Sequence, residues 1–269
     1  MGISVTGGVK VPQGKFSVTV PPTGPVTITP DAADFDGSDD RLFRSGALST
    51  ITDGKQGLIS VWFKLGAENA SGRMIHISDV TEGSFAKVDV NLSGSGKFAV
   101  VGRPTGASAS PILNMSSIGT STTADVWVHA MASWDLGAGP IAQMYINNVE
   151  DRAVSITATD NTIDYSFGDT AIGARSWTAG AFWNGCLGEL YFTNEFLDLD
   201  TASNREKFIS GGLPVDLTGG GDAGALPTST APILYFSGDS AAFPTNLGTG
   251  GSFSVEGGGL ATCADSPSV

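Results

Sequence analysis

The stretch "DFDGSDDRLFRSG", Asp34 to Gly46, places four aspartates in seven residues. Carboxylate oxygens at that density suit a hard cation such as Ca²⁺. An EF-hand loop needs its glycine after a third acidic or amide ligand, and a glutamate at a fixed offset beyond it. Here Gly37 follows the second aspartate of the run directly and no glutamate stands at that offset, so the EF-hand pattern fails. His76 and His129 lack metal-ligand spacing, and there is no Gly-x-Ser-x-Gly nucleophile turn. "GGGDAG" (219–224) fits Gly-x-Gly-x-x-Gly, but "ALPTSTAP" follows it and cannot form the helix that would hold a phosphate, so it reads as a loop. The loop "ARSWTAGAFWNG" is the best binding candidate. An exposed loop aromatic can stack on a sugar, so Trp177, with Arg175 and Asn184 as hydrogen-bonding neighbours, is the candidate carbohydrate site. Cys186 sits in the apolar run "NGCLGELYF" and reads as a small buried hydrophobe; pairing with Cys263 is the alternative.

These residues need a scaffold, and composition says what kind. The chain has 269 residues, 41% hydrophobic, with 37 glycines and only 15% charged residues, against about 25% in typical soluble domains. That mix suits many short strands joined by tight turns. A net charge of −13 argues against nucleic acid as a partner, because phosphate backbones require Lys and Arg. No charged-then-apolar N-terminal segment and no run of ~18 apolar residues occur, so neither export nor membrane spanning is expected. Period-two alternation and turn signals predict strands over 57–65, 73–78, 85–92, 97–101, 126–134, 141–147, 154–159, 171–173 and 185–193, with another in "PILYFSG". "DTASNREKFIS" predicts the one helix, capped by Asp200 or Thr201 and stopped at Gly211–Gly212.

Alternation also assigns faces. Ile59, Val61, Phe63 and Leu65 share one face, with Ser60, Trp62 and Lys64 on the other; Val126, Val128, Ala130, Ala132 and Trp134 oppose Trp127, His129 and Met131. The second face is unusually aromatic. Either it is a ligand platform, or a loop or added strand covers it.

"FDGSDDRL", "GLISVWFKL", "WVHAMASWDL", "MYINNVED", "AIGAR" and "FWNGCLGELYF" follow one another in the order and spacing of laminin G-like, concanavalin A-like lectin/glucanase jelly rolls, and over residues 32–210 the chain resembles that family. The resemblance implies an all-β, two-sheet antiparallel jelly-roll sandwich. It puts "DFDGSDD" at the first strand–turn, where Gly37 permits positive φ and Asp36 and Asp39 make turn hydrogen bonds. Some relatives bind calcium on the sandwich rim, so the alternative is a weak site built from Asp36, Asp39 or Asp40 with a distant partner. The family often buries an aromatic just before the "NG" of this strand, which makes Trp183 a loop anchor. Its glucanases need paired carboxylates about 5–9.5 Å apart. In the comparable strand Glu189 has Tyr191 and Thr193 at its same-face positions, and Glu195 lies about 20 Å along an extended strand. Glucanase chemistry is not expected, and neither is any cofactor.

The "SWDLG" hairpin, the helix after "GELYF" and the Gly-rich ending are similar to proteins of tailed bacteriophages and prophages. The expectation is a non-enzymatic virion structural protein, on the particle surface, with carbohydrate-binding adhesion to host-surface glycans as the alternative. Residues 1–30 hold Lys10 and Lys15 and no acid, and read as a β-arm docking onto other virion proteins or copies of the same chain. Residues 31–212 form the jelly roll, and 213–269, without Lys or Arg, a Gly/Pro-rich extension with one or two strands.

Overall fold

The computed structural model describes residues 25–68, 70–78, 86–106, 109–217 and 226–269. The arm over residues 1–24 and the loop 219–224 lie outside the described residues. The strands are β1 (Ala33–Asp36), β2 (Arg41–Arg44), β3 (Gln56–Leu65), β4 (Gly72–Ser78), β5 (Val88–Leu92), β6 (Phe98–Gly102), β7 (Leu113–Ser116), β8 (Trp127–Asp135), β9 (Ile141–Ile146), β10 (Val149–Glu150), β11 (Thr157–Ala158), β12 (Asp169–Ile172), β13 (Asn184–Thr193), β14 (Ile209–Ser210), β15 (Leu213–Pro214), β16 (Leu234–Phe236), β17 (Ser254–Glu256) and β18 (Ala261–Thr262). Sixteen of them form two antiparallel eight-stranded sheets, and β14 and β15 pair with each other in a separate hairpin. The first runs β10-β9-β8-β3-β13-β1-β18, with β16 also on β13; the second runs β11-β7-β6-β5-β4-β12-β2-β17. This is the expected jelly-roll sandwich.

The core lies between the sheets. Ile59, Val61, Phe63 and Leu65 of β3 meet Ile75, Ile77, Val88, Val90, Phe98 and Val100 of the opposite sheet. Trp134 is fully buried there and its Nε1 donates to the Tyr165 hydroxyl at 2.9 Å, which donates in turn to the Gln56 carbonyl at 2.7 Å. Burying these side chains is the main driving force; truncating one such aromatic costs about 3–5 kcal/mol.

The aromatic second face of the first sheet is covered. Leu58, Trp62, Trp127, Met131, Tyr145, Tyr191 and Tyr235 pack under Leu199, Phe208, Ile209 and Leu217. His129 is stacked on Trp62, ring centroids 4.6 Å apart, and shares a 2.8 Å hydrogen bond with Ser60. Of the two readings of this face, covering is what the fold shows. The cover includes the expected helix, which is shorter than its sequence suggests. Only Ala202–Arg205 is helical, and Thr201, its N-cap, makes no side-chain cap bond. Thr201 Oγ1 donates instead to Asp198 Oδ2 at 3.0 Å, while Asp198 Oδ1 accepts from Gln143 at 2.7 Å. The segment is spent on covering the sheet, and tertiary packing overrides helix propensity.

The C-terminal residues are woven into both sheets. β16 pairs with β13, β18 with β1 and β17 with β2. Residues 213–269 therefore contribute four strands, where sequence patterning gives one or two; all four are only two or three residues long and leave little periodicity to read. Cys186 and Cys263 form a disulfide with Cα atoms 6.2 Å apart, which staples this segment to β13. At the other end, Thr27 bridges to Val215, and Ile28 N–H donates to the Pro214 carbonyl at 2.9 Å. The last part of the expected docking arm thus pairs within its own chain.

Candidate functional site

The aspartate turn is the first candidate. Asp36 Oδ1 accepts from the backbone N–H of Ser38 at 2.7 Å and of Asp39 at 3.1 Å, which holds its carboxyl below the usual range. Gly37 has φ +75°, as a turn with this geometry requires. Asp39 Oδ1 accepts from Gly258 N–H at 2.8 Å and Asp40 Oδ1 from Gly259 N–H at 2.9 Å. Oxygens of Asp36, Asp39 and Asp40 all lie within 4.8 Å of one another, close enough to share a cation. Each carboxylate already accepts backbone N–H groups, so the turn is complete without one.

The carboxylates suggested by glucanase relatives do not converge. Glu189 sits at a β-bulge in β13 with φ +43° and is buried. Tyr235 Oη donates to its Oε2 at 2.6 Å and Ser237 Oγ donates to its Oε1. Burial pushes its carboxyl up to about 7, against the two hydroxyl donors, with the Asp216 charge adding to the rise. Glu195 accepts from Thr230 Oγ1 at 2.5 Å. Glu189 is buried, with both carboxylate oxygens engaged by Tyr235 and Ser237. His129 is fully buried and burial holds its imidazole down at about 3, so it stays neutral.

The third candidate lies on the outer face of the second sheet. In β5, Val88 and Val90 point into the core, so Asp89 and Asn91 point out. Across the ladder Asp89 faces His76 and Asn91 faces Arg73, with a bulge between Arg73 and Ile75. The bulge sends Met74 into the core and puts Arg73 and His76, three residues apart, on one face. Arg73 Nε lies 2.9 Å from Asp89 Oδ1. Arg103, just past β6, donates from Nη1 to the Ala86 carbonyl at 2.6 Å.

The loop 174–183 closes over this face. Arg73 N–H donates to the Ala181 carbonyl at 3.1 Å and Arg175 N–H to the Gly180 carbonyl at 3.0 Å. Ser176 N–H donates to His76 Nδ1 at 3.1 Å, and Ser176 Oγ donates to the Ser78 carbonyl at 2.9 Å. Burial, then the charges of Arg73, Arg175 and Arg103, holds His76 down at about 3; it is a neutral acceptor that fixes the loop. Burial raises the Asp89 carboxyl, while Arg73, a hydrogen bond from Asn91, Arg103 and Arg175 oppose the rise.

The three residues singled out from sequence separate here. Arg175 joins the Arg73–Asp89 cluster, and its guanidinium makes no hydrogen bond or ion pair among the described residues. Trp177 is half-buried, and its indole Nε1, itself out of reach of solvent, has no acceptor among the described residues. Asn184 lies elsewhere, wedged between two turns: a β-carbon added to Gly37 would come 2.7 Å from its Cβ, and one added to Gly66 would come 2.3 Å from its Oδ1. Trp183 is fully buried edge-on to Phe63, the loop anchor that was expected. Sequence reasoning did not connect Arg73, Asp89 and Arg103. The signal was present as charged residues inside buried strands, "RMIHIS" and "VDVNL", but the bulge breaks the parity that would have grouped them.

A family model described as the concanavalin A-like lectin/glucanases superfamily, of laminin G type, matches residues 37–201. The chain belongs to this superfamily. No curated protein sequence matches it. Among solved structures, a heptameric SAP-like pentraxin from Limulus polyphemus is similar, with TM-score 0.53 and 15% identity over 90% of this chain and 97% of the pentraxin. A Bacteroides ovatus protein named as a candidate carbohydrate-binding protein is similar with TM-score 0.58 and 13% identity, over 91% of this chain and 62% of its own. At these identities the likeness is one of fold.

Proposed function

We propose that this lectin-like sandwich is a non-catalytic carbohydrate-binding module, and that its binding face is the outer surface of the second sheet together with the loop 174–183. The observation that carries this reading is the loop itself. Ser176 and the backbone of residues 173–183 tie it to the sheet, and on either side of Ser176 stand the half-buried ring of Trp177 and Arg175, whose guanidinium keeps its donors without acceptors among the described residues. A rigid platform with an aromatic and unused donors is what sugar recognition needs. The Bacteroides ovatus relative, by its name, points the same way. Asp89 on this face is engaged by Arg73 at 2.9 Å, which leaves it poorly placed to act as one of a pair of carboxylates in bond cleavage. Isothermal titration against a panel of oligosaccharides should find a ligand whose affinity falls about tenfold or more in Trp177→Ala, since one stacking aromatic contributes on the order of 1–2 kcal/mol. Binding unchanged by that substitution, or turnover of a bound sugar, would overturn the reading.

A second reading places the module on the surface of a tailed-bacteriophage particle, joined to copies of itself or to other virion proteins and recognising host-surface glycans. It rests on the "SWDLG" likeness and on the acid-free N-terminal arm. Deleting residues 1–24 should leave a folded sandwich that no longer assembles; normal assembly of the truncated chain would sink it.

A further inference from the structure

We propose that the chain carries a second sugar site, a cleft at the edge of the first sheet that takes one neutral pyranose ring. It lies on the other sheet from the face beneath the loop 174–183 and goes beyond the binding reading above.

The cleft has a volume of about 240 Å³ and is lined by Pro140, Ile141, Gln143, Glu150, Arg152 and Asp200. Clefts for drug-sized ligands run to about 300–1,000 Å³, so this one suits a single ring. It is built largely on strands. Asn147 and Asn148, with φ +49° and +64°, form the tight turn that joins β9 to β10 and sets Glu150 opposite Tyr145. Ala142 and Met144 of β9 point into the core, so Ile141, Gln143 and Tyr145 point out. Gln143 is buried and held at both ends of its amide. Its Nε2 donates to Asp198 Oδ1 at 2.7 Å, and its Oε1 accepts from Leu199 N–H at 2.7 Å. Tyr145 Oη donates to Asp200 Oδ1 at 2.9 Å and so holds that carboxylate by one oxygen.

The groups left over decide the ligand. Glu150 and Arg152 make no hydrogen bond or ion pair among the described residues, with each other or with any third group. Asp200 keeps Oδ2 without a donor among them. The other charges nearby are engaged. Asp198 accepts from Gln143, Thr201 and the Asp200 N–H, and Asp151 accepts from the N–H groups of Ile118 and Gly119. Arg205 donates to Asn148 Oδ1 and to the carbonyls of Leu199 and Asp200, and lies over the Tyr145 ring. The cleft therefore offers two carboxylates that only accept and one guanidinium that only donates. Pro140 and Ile141, the latter 44% exposed, add an apolar surface. A pyranose meets all three: its hydroxyls both donate and accept, and its C–H face is apolar. An anion would face Glu150 and Asp200, and a cation would face Arg152. Hydrogen bonds to ionised groups are the stronger kind, which suits a small ligand with few contacts.

The test is an NMR titration of the full-length, isotope-labelled chain with methyl α-glucoside, methyl α-mannoside and methyl β-galactoside. At least one should shift the Gln143 side-chain amide and the backbone N–H signals of Glu150 and Arg152, saturably and in the millimolar range. Glu150→Ala and Arg152→Ala should each weaken that binding about fivefold or more. Neither side chain bonds within the fold, so an unchanged melting temperature separates loss of binding from loss of structure. Trp177→Ala should leave this site as it is. The amino-sugar and uronic acid counterparts of the bound glycoside should both bind more weakly than the neutral sugar. Tighter binding of either would overturn the neutral-sugar assignment, the first by showing a cation held on the carboxylates and the second an anion held on Arg152. No saturable shift at these residues, or shifts that survive both substitutions, would overturn the site itself; signals moving only in the loop 174–183 would then leave the first binding reading standing alone.

Discussion

Replacing Glu189 with Gln should remove a stability penalty that the native chain carries at neutral and alkaline pH. The carboxyl is buried at the β13 bulge and titrates at about 7, against an ordinary 4.5. Tyr235 and Ser237 both donate to it, an arrangement suited to the ionised form, but desolvation is the larger effect. Below pH 4.5 the group is protonated in both the folded and unfolded chain and contributes no pH dependence. Between 4.5 and about 7 the unfolded chain gives up the proton while the folded chain keeps it, so stability falls as pH rises. Above about 7 both are ionised and the whole cost is present. At about 1.4 kcal/mol per tenfold change in proton affinity, the cost is about 3 kcal/mol. For a domain of this size that is roughly 6–12 °C in Tm. Asp34 and Asp89 are also raised and Asp36 and Asp198 lowered, so the readout is the difference between the native chain and Glu189→Gln, in which their contributions cancel. Urea melts of both proteins at pH 5 and pH 8.5 should show the variant gaining on the native chain by about 2–3 kcal/mol across that interval. A difference that stays flat with pH would refute the reasoning and mean that water or a rearranged partner solvates Glu189.

The aspartate turn is complete without a cation, so millimolar calcium should move Tm by no more than a degree or so, because only a ligand bound to the native state stabilises it. A large saturable rise, abolished by Asp39→Ala, would show that Asp36, Asp39 and Asp40 bind metal. The Cys186–Cys263 link closes a 77-residue separation, and removing it with Cys263→Ser should cost about 4 kcal/mol by loop-closure entropy, read as a lowered urea midpoint. An unchanged midpoint would mean that β18 and its neighbours stay docked in the unfolded ensemble or that the bond does not form in solution.

Much of the scaffold was legible before any coordinates. β3 and β8 alternate so cleanly that Ile59, Val61 and Phe63, and their opposites Trp62 and His129, could be assigned to faces from spacing alone. The aromatic outer face announced that something had to happen there. What happened was not local. The cover is built from residues 197–217, and a sequence pattern carries no mark of which distant segment will lie on which sheet. The helix over 200–210 was over-read for the same reason: propensity favoured several turns, and the contacts of Phe208 and Ile209 with the sheet won.

The sequence by itself determined which residues could turn and which face each long strand would bury, because sterics at Gly37 and the two-residue period of a strand are properties of neighbours along the chain. It also carried the order of motifs that marks the superfamily. Tertiary structure decided the rest. Asp39 and Asp40 found their partners in Gly258 and Gly259, 219 residues away. Cys186 met Cys263 because β18 lies beside β1, which lies beside the start of β13. The arginine cluster exists only because one extra residue, Met74, bulges out of register and flips the parity of β4. Local periodicity encodes a face; a bulge or a strand crossing resets it, and the reset depends on packing energies summed over the whole sandwich.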